Sequence, residues 1–175
     1  MAQRGLAATT VEQIAEAAEV GRATFFRYFD AKEWAVAEGA AAAWLELVTD
    51  RLRAQPPHLG PLDAVRAAFA ELAVGFDDRR EEVLPLAELS RSSPALSAWT
   101  LQVYLRYEDA IAALVAPRFA QLSDGDPRPR LVGALTMAAL RLALDDWVAD
   151  GGRGDLPALV DRALCAATVP DGALR

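Results

Sequence analysis

Between Arg22 and Lys32 the chain sets Arg22, Ala23, Thr24, Phe26, Arg27, Tyr28 and Lys32 around two phenylalanines, Phe25 and Phe29, placed four residues apart. Residues four apart share a helix face, so Phe25 and Phe29 are expected to point inward. The outer faces then offer small, polar and basic side chains, which suits the groove of duplex DNA: base edges are read by a few side chains while others hold the phosphates. No catalytic constellation competes with this reading. Asp77-Asp78 and Asp145-Asp146 are paired carboxylates, but adjacent residues on a helix do not face each other, and no base–nucleophile pair accompanies them. The single histidine, His58, and the single cysteine, Cys165, lie far apart and make no zinc or nucleophile set. No catalytic residue, metal or cofactor is therefore expected. Cys165, in an apolar C-terminal stretch, reads as a small core residue.

The reading residues need a scaffold, and the preceding stretch supplies its pattern. Thr9 and Glu12 have the spacing of a capping box. Val11, Ile14, Ala15 and Ala18 form one apolar stripe at helical spacing. Glu19-Val20-Gly21 is the expected turn, with Val20 as its buried plug, and Arg22 to Phe29 is the second helix.

The run from Thr10 to Ala18 (TVEQIAEAA) and from Val20 to Glu33 (VGRATFFRYFDAKE) closely resembles the DNA-binding domain of the TetR family of bacterial transcriptional regulators. The resemblance implies that Arg22, Ala23, Thr24 and Arg27 face the major groove. It implies that Phe26, Tyr28 and Lys32 contact the phosphate backbone, with Thr10 doing so at a helix N-terminus. Glu19 stands where the family usually has glycine, and Gly21 where it often has serine. The motif starts only a few residues after Met1, so most of the family's first helix is expected to be missing, with Gln3 to Leu6 as its end. A head lacking that helix is expected to bind operator DNA poorly.

The chain has 175 residues, 53% hydrophobic and 25% charged, with alanine dominant, which favours a sizeable all-helical core. No long uncharged apolar run suggests a membrane span, no secretory signal is visible, and a lone cysteine fits a reducing cytoplasm. The net charge of -7 opposes DNA binding only if read globally. Locally, Arg22, Arg27 and Lys32 face a single acid, Asp30, and Lys32 is the only lysine.

Beyond this head the spacing predicts a helix from Lys32 to Ala54, about 33 Å long at 1.5 Å per residue and ended by Pro56-Pro57. Further helices are expected from Pro61 to Phe76, over Val83 to Leu89 with a bend at Pro85, and from Pro94 to Ala116 behind a Ser93 cap. After a loop from Ser123 to Arg130, a helix runs to Ala149 and another from an Asp155 cap to Thr168. The Gly151–Gly154 run comes after a helix and lacks the lysine of a phosphate loop. The aromatic side chains suited to a pocket are Trp44, Phe69, Phe76, Trp99, Tyr104, Tyr107 and Trp147. Glu108 and Asp109 read as a solvated face or arginine partners, with recognition of a polar ligand group as the alternative. The Arg130–Ala149 segment is apolar on more than one face, Leu131, Leu135, Ala138 and Leu142 on one and Val132, Thr136, Ala139, Ala143 and Trp147 on another. A homodimer interface is therefore expected from Leu131, Leu135, Ala138 and Leu142 together with Leu156, Leu159, Val160 and Ala163.

The plan is similar to the TetR family throughout, and the ending DLPALVDRALCA is similar to regulators of the mycofactocin-cluster type. These features together imply an all-α protein with a helix-turn-helix head over residues 1–36 and a regulatory and dimerisation domain over 37–175. Its expected partners are double-stranded operator DNA, a small-molecule effector and a second copy of itself. The expected function is a cytoplasmic repressor released by an apolar, acyl-like or aromatic molecule. The alternative is a helical dimer module that binds a small molecule or protein without reading DNA.

Overall fold

The computed structural model describes Thr10, Gln13, Glu16 and residues 32–166. The expected turn at Glu19–Gly21 and the residues Thr9, Glu12, Arg22, Ala23, Thr24, Phe26, Arg27 and Tyr28 lie outside the described residues. Thr10 and Gln13 form a capping box, while the Thr9–Glu12 pair expected to form one lies outside the described residues. The Thr10 amide donates to Gln13 Oε1 at 3.0 Å, and the Gln13 amide donates to Thr10 Oγ1 at 3.3 Å. Glutamine closes such a box as well as glutamate does, and the overlapping Thr-Thr-Val-Glu-Gln offers both registers.

Six α-helices make up the described body: α1 Lys32–Ala54, α2 Pro61–Ala73, α3 Phe76–Leu89, α4 Pro94–Val115, α5 Arg128–Ala149 and α6 Leu156–Ala166. No strand occurs among the described residues. The fold is all-helical, and α1 runs unbroken across residues 36 and 37, where the sequence placed a domain boundary.

The helix ends reflect their local chemistry. Pro56-Pro57 stops α1, and the Arg118 guanidinium, arriving just after α4, donates to the freed carbonyls of Leu52, Gln55 and Pro56 at 3.3, 2.9 and 2.7 Å. Helix α2 ends at Ala73, three residues before the expected Phe76. Gly75 takes a left-handed φ of 73°, turning the chain so that buried Phe76 opens α3 instead. The Ser93 hydroxyl accepts the Leu96 amide at 3.2 Å and starts α4. Helix α5 begins at Arg128, not Arg130. The near-buried Arg128 guanidinium is paired with Asp126 at 2.9 Å and lies over the Phe119 ring, closing the loop tightly around it. At the other end of α5 the Gly152 amide bonds Trp147 O and the Gly151 amide bonds Val148 O, both at 2.9 Å. That is a Schellman cap, and it explains the glycine run. Asp155 Oδ1 accepts the Ala158 amide at 3.1 Å and starts α6.

The core is built from Leu52, Val65, Ile111, Val115, Val132, Met137, Trp147 and Leu164, all essentially inaccessible to solvent. Val132, Thr136, Ala139, Ala143 and Trp147 form the inner stripe of α5, and the Thr136 hydroxyl is satisfied by Val132 O at 2.7 Å. Gly133 lets α5 cross α4 backbone to backbone: a Cβ there would sit 2.4 Å from the Glu108 carbonyl oxygen. Cys165 is not a core residue. The inner stripe of α6 is Leu156, Val160 and Leu164, and the next position turns outward, leaving the thiol exposed near the Asp161 carboxylate.

Candidate ligand cavity and reading head

Small side chains on α1 leave room beneath it. Ala37, Ala40 and Ala41 face inward one to two turns before Trp44, and where they fail to fill the space a cavity of about 530 Å³ opens between all six helices. Trp44, Phe69, Phe76, Trp99, Tyr104 and Tyr107 line it. Trp147 does not. It is fully buried, packed edge-to-face on Phe76 at 5.8 Å, its indole N–H donating to Gly154 O at 2.9 Å, with Arg80 at 6.0 Å from its ring. The rest of the wall is mostly aliphatic, including Val103, Met137, Leu140 and Leu144. These were missed in the sequence because an aliphatic residue beside a void looks like one in a core. The alanine spacing on α1 was the available signal.

One end of this wall touches α1 through polar bonds. Trp99 lines the cavity, and its indole N–H donates to Glu38 Oε2 at 3.1 Å. Arg106 grips the same carboxylate with two N–H bonds of 2.7 and 3.2 Å. That pairing holds the Glu38 carboxyl below its usual range. Trp99 also meets Trp34 edge-on at 6.1 Å, close to the start of α1. Two turns after Trp99, the Tyr107 hydroxyl donates to Ala41 O at 2.7 Å, and burial pushes its phenol far up.

The remaining polar lining residues sit in two groups. Arg66 of α2 pairs with Asp161 of α6 at 3.3 Å, and Asp155 also lines the wall. Arg91, just after α3, bonds Asp145 of α5 at 2.6 and 2.9 Å and the Ala87 carbonyl at 2.7 Å. Glu108 and Asp109 do not border the cavity. Glu108 is half-buried at the α4–α5 crossing, its carboxyl pushed up by burial and then by Asp109, while Asp109 is exposed. Among the described residues no cluster of His, Cys, Asp or Glu is placed to hold a metal ion, and His58 is exposed in its loop.

The outer face of α5 is uncovered. Leu131 and Leu142 are 46% and 54% exposed, Leu135 and Ala138 are half-buried, and Leu101 and Leu105 of α4 are also exposed. Leu156 and Val160 of α6, expected at the partner-facing surface, are turned into the protomer's own core and wall the cavity, because α6 has one strongly apolar stripe and the body claims it. Leu159 and Ala163 flank that stripe, half-buried. Of the reading-head residues, Thr10 is an exposed N-cap and Lys32 is the first residue of α1. No helix among the described residues is long and apolar enough to cross a membrane.

Residues 1–34 match the family model described as "Bacterial regulatory proteins, tetR family", and residues 59–168 match the "MftR C-terminal domain" model. The sequence is similar to the HTH-type transcriptional regulator TcmR of Streptomyces glaucescens, 35% identical over 150 residues. That alignment covers 82% of this chain and 66% of TcmR, so the chain spans just under two thirds of that relative. The fold is similar to that of Thermus thermophilus FadR, a TetR-family transcriptional repressor solved in complex with lauroyl-CoA. The TM-score is 0.65 at 24% identity, covering 99% of this chain and 92% of FadR.

Proposed function

The chain belongs to the TetR family of bacterial transcriptional regulators, and from that premise we propose that it is a homodimeric repressor that leaves its operator when a small molecule fills the cavity. The observation that carries the coupling is Trp99, whose ring walls the cavity while its N–H holds Glu38 on α1. A ligand pressing on Trp99 strains the Trp99–Glu38–Arg106 junction and tilts α1, the helix that begins at Lys32. Two reading heads can be seated on DNA together only near a spacing of about 34–36 Å, so a change in tilt unseats them. The ligand must bind the released conformation more tightly, and DNA must weaken ligand binding by the same factor.

A wall so largely apolar, and a volume within the usual range of about 300–1,000 Å³ for ligand pockets, suit an acyl-like or aromatic molecule. The lauroyl-CoA held by the similarly folded FadR supports the acyl class. The partner copy docks on the Leu131–Leu142 face of α5, with Leu159 and Ala163 at its margin. A regulator of this kind acts on DNA in the bacterial cytoplasm.

Within the head, Arg22, Ala23, Thr24 and Arg27 read bases, while Thr10, Phe26, Tyr28 and Lys32 hold the backbone. Mobility shifts on the DNA flanking the gene, run on the chain with the family's first helix added upstream, test this. Lys32→Ala should weaken all sites alike and lower the salt slope by about one unit. Arg22→Ala should relax preference at one or two base pairs, costing about 1–3 kcal/mol at the preferred site. Equal shifts in specificity from both would refute the roles. Absence of any preferred flanking site would favour a dimer module that does not read DNA.

A further inference from the structure

The two polar groups in the cavity wall differ in charge. At one, Arg66 is paired with Asp161, and Asp155 is a further carboxylate in the wall. At the other, the charged groups acting on the Tyr104 phenol are Arg91, Asp145 and Arg141, two cations to one anion. Asp145 is shared between them, 2.6 Å from Arg91 and 3.8 Å from Arg141. It is nearly half exposed, so it can lean toward Arg141 without losing a cationic partner. Tyr104 lies in the same corner, and its hydroxyl oxygen accepts from Arg91, which leaves its O–H to donate. A phenol is protonated, and therefore a donor, across the neutral range, and burial moves this one further up. Ser90 and Thr100 line the wall beside it, but both hydroxyls donate to backbone carbonyls, of Ala87 and Leu96. The corner thus holds more cations than anions and a half-buried phenol that can donate its O–H, at the edge of an otherwise apolar space.

We infer that the cavity takes an amphipathic organic acid, its carboxylate seated on Arg91 and the Tyr104 hydroxyl and its apolar body lying along Val103, Leu140 and Leu144 toward Trp44. The inference rests on the ligand-cavity reading above and names the class of ligand. Arg91 meets the requirement for a carboxylate anchor: it is held by the Ala87 carbonyl and Ser90 Oγ, at 2.7 and 3.0 Å, so its guanidinium is placed before the ligand arrives. Arg66 is already neutralised by Asp161, and the wall carries Asp155 besides, so an acid gains less there than at Arg91. An alcohol or ester of the same chain length lacks the charge and gains only the apolar contacts.

The probes are dodecanoic acid and dodecan-1-ol, titrated below their aggregation limits into the full chain and followed by the fluorescence of the cavity tryptophans. The acid should bind about tenfold tighter than the alcohol or more, the margin of a charge-assisted hydrogen-bond pair. Arg91→Gln should abolish the preference for acid over alcohol, and Arg91→Lys should restore part of it. Tyr104→Phe should weaken the acid alone. Should Arg91→Gln not fold, Asp145→Asn carries the test, because removing the competing carboxylate should tighten acid binding severalfold. Equal binding of acid and alcohol, a preference that survives Arg91→Gln, or no tightening in Asp145→Asn would overturn the anchor. Uptake of neither probe would overturn the anchor and the cavity reading together. Acid binding at Arg91 without operator release would leave the anchor standing and overturn the repressor reading alone.

Discussion

Tyr107 shows how one side chain joins body and lever. It is 6% exposed, borders the cavity and donates to Ala41 O on α1. Burial raises its phenol, and that of Tyr104, above the ordinary value of 10.0. The sign comes from linkage. A raised folded-state value means that the unfolded chain loses its protons first, so the stability is fully present below pH 10 and declines as pH rises beyond it. Each such phenol adds a slope of about 1.4 kcal/mol per pH unit. Denaturant midpoints measured from pH 8 upward should therefore fall above pH 10, and Tyr107→Phe should flatten that limb while lowering the plateau. An unchanged alkaline slope in the variant would place the titration elsewhere. At this scale the sequence was a mixed guide. Tyr104, Tyr107 and Trp99 could be named as pocket residues because aromatic side chains are conspicuous, whereas Arg91 could not. Its role depends on Asp145, 54 positions away, and no local pattern records that pairing.

At the scale of elements, the α4–α5 crossing is set by one missing side chain. Gly133→Ala would place a methyl 2.4 Å from the Glu108 carbonyl oxygen, inside contact distance of rigid backbone. The helices must part, and overpacking of this kind costs about 1–3 kcal/mol. A thermal melt should show a clear drop, and a variant as stable as the parent would mean that the helices are not pressed together there. Helix boundaries were legible where the chain marks them covalently or by a cap: Pro56-Pro57, Ser93-Pro94 and Asp155. They were misread where conformation decides. Gly75 has the same side chain as Gly39, which sits inside α1 with nothing near its Cβ position, yet Gly75 turns the chain left-handed and ends α2. Cys165 was misread for a related reason, since one residue of rotation separates the inner stripe of α6 from its outer face.

The whole molecule is asymmetric in its apolar surface. The inner stripe of α5 is satisfied by its own protomer, while Leu131 and Leu142 stand half exposed on the other side. Leu142→Arg therefore puts no charge into the protomer's core, and the protomer should keep its fold. A second copy would have to bury that charge unpaired, which costs several kcal/mol. Sedimentation should show a dimer for the parent chain at micromolar concentration and a folded monomer for the variant. A monomeric parent would remove the proposed interface. The all-helical plan was legible at this scale because alanine-rich helical spacing runs through the chain. The cavity was legible only in its aromatic residues, since its shape and aliphatic wall depend on how six helices meet.

The central claim is that filling the cavity releases DNA through Trp99. The direct measurement is the anisotropy of labelled DNA flanking the gene, bound by the chain with the family's first helix added upstream and titrated with a molecule shown to occupy the cavity. The same titration is run on Trp99→Phe, which keeps a ring in the wall and loses the bond to Glu38. The account predicts a sequence-specific complex that dissolves as the cavity fills, and a Trp99→Phe complex that takes up the molecule but holds its DNA. A wild-type complex that persists with the cavity occupied, or a variant that releases DNA as readily as the parent, would contradict it.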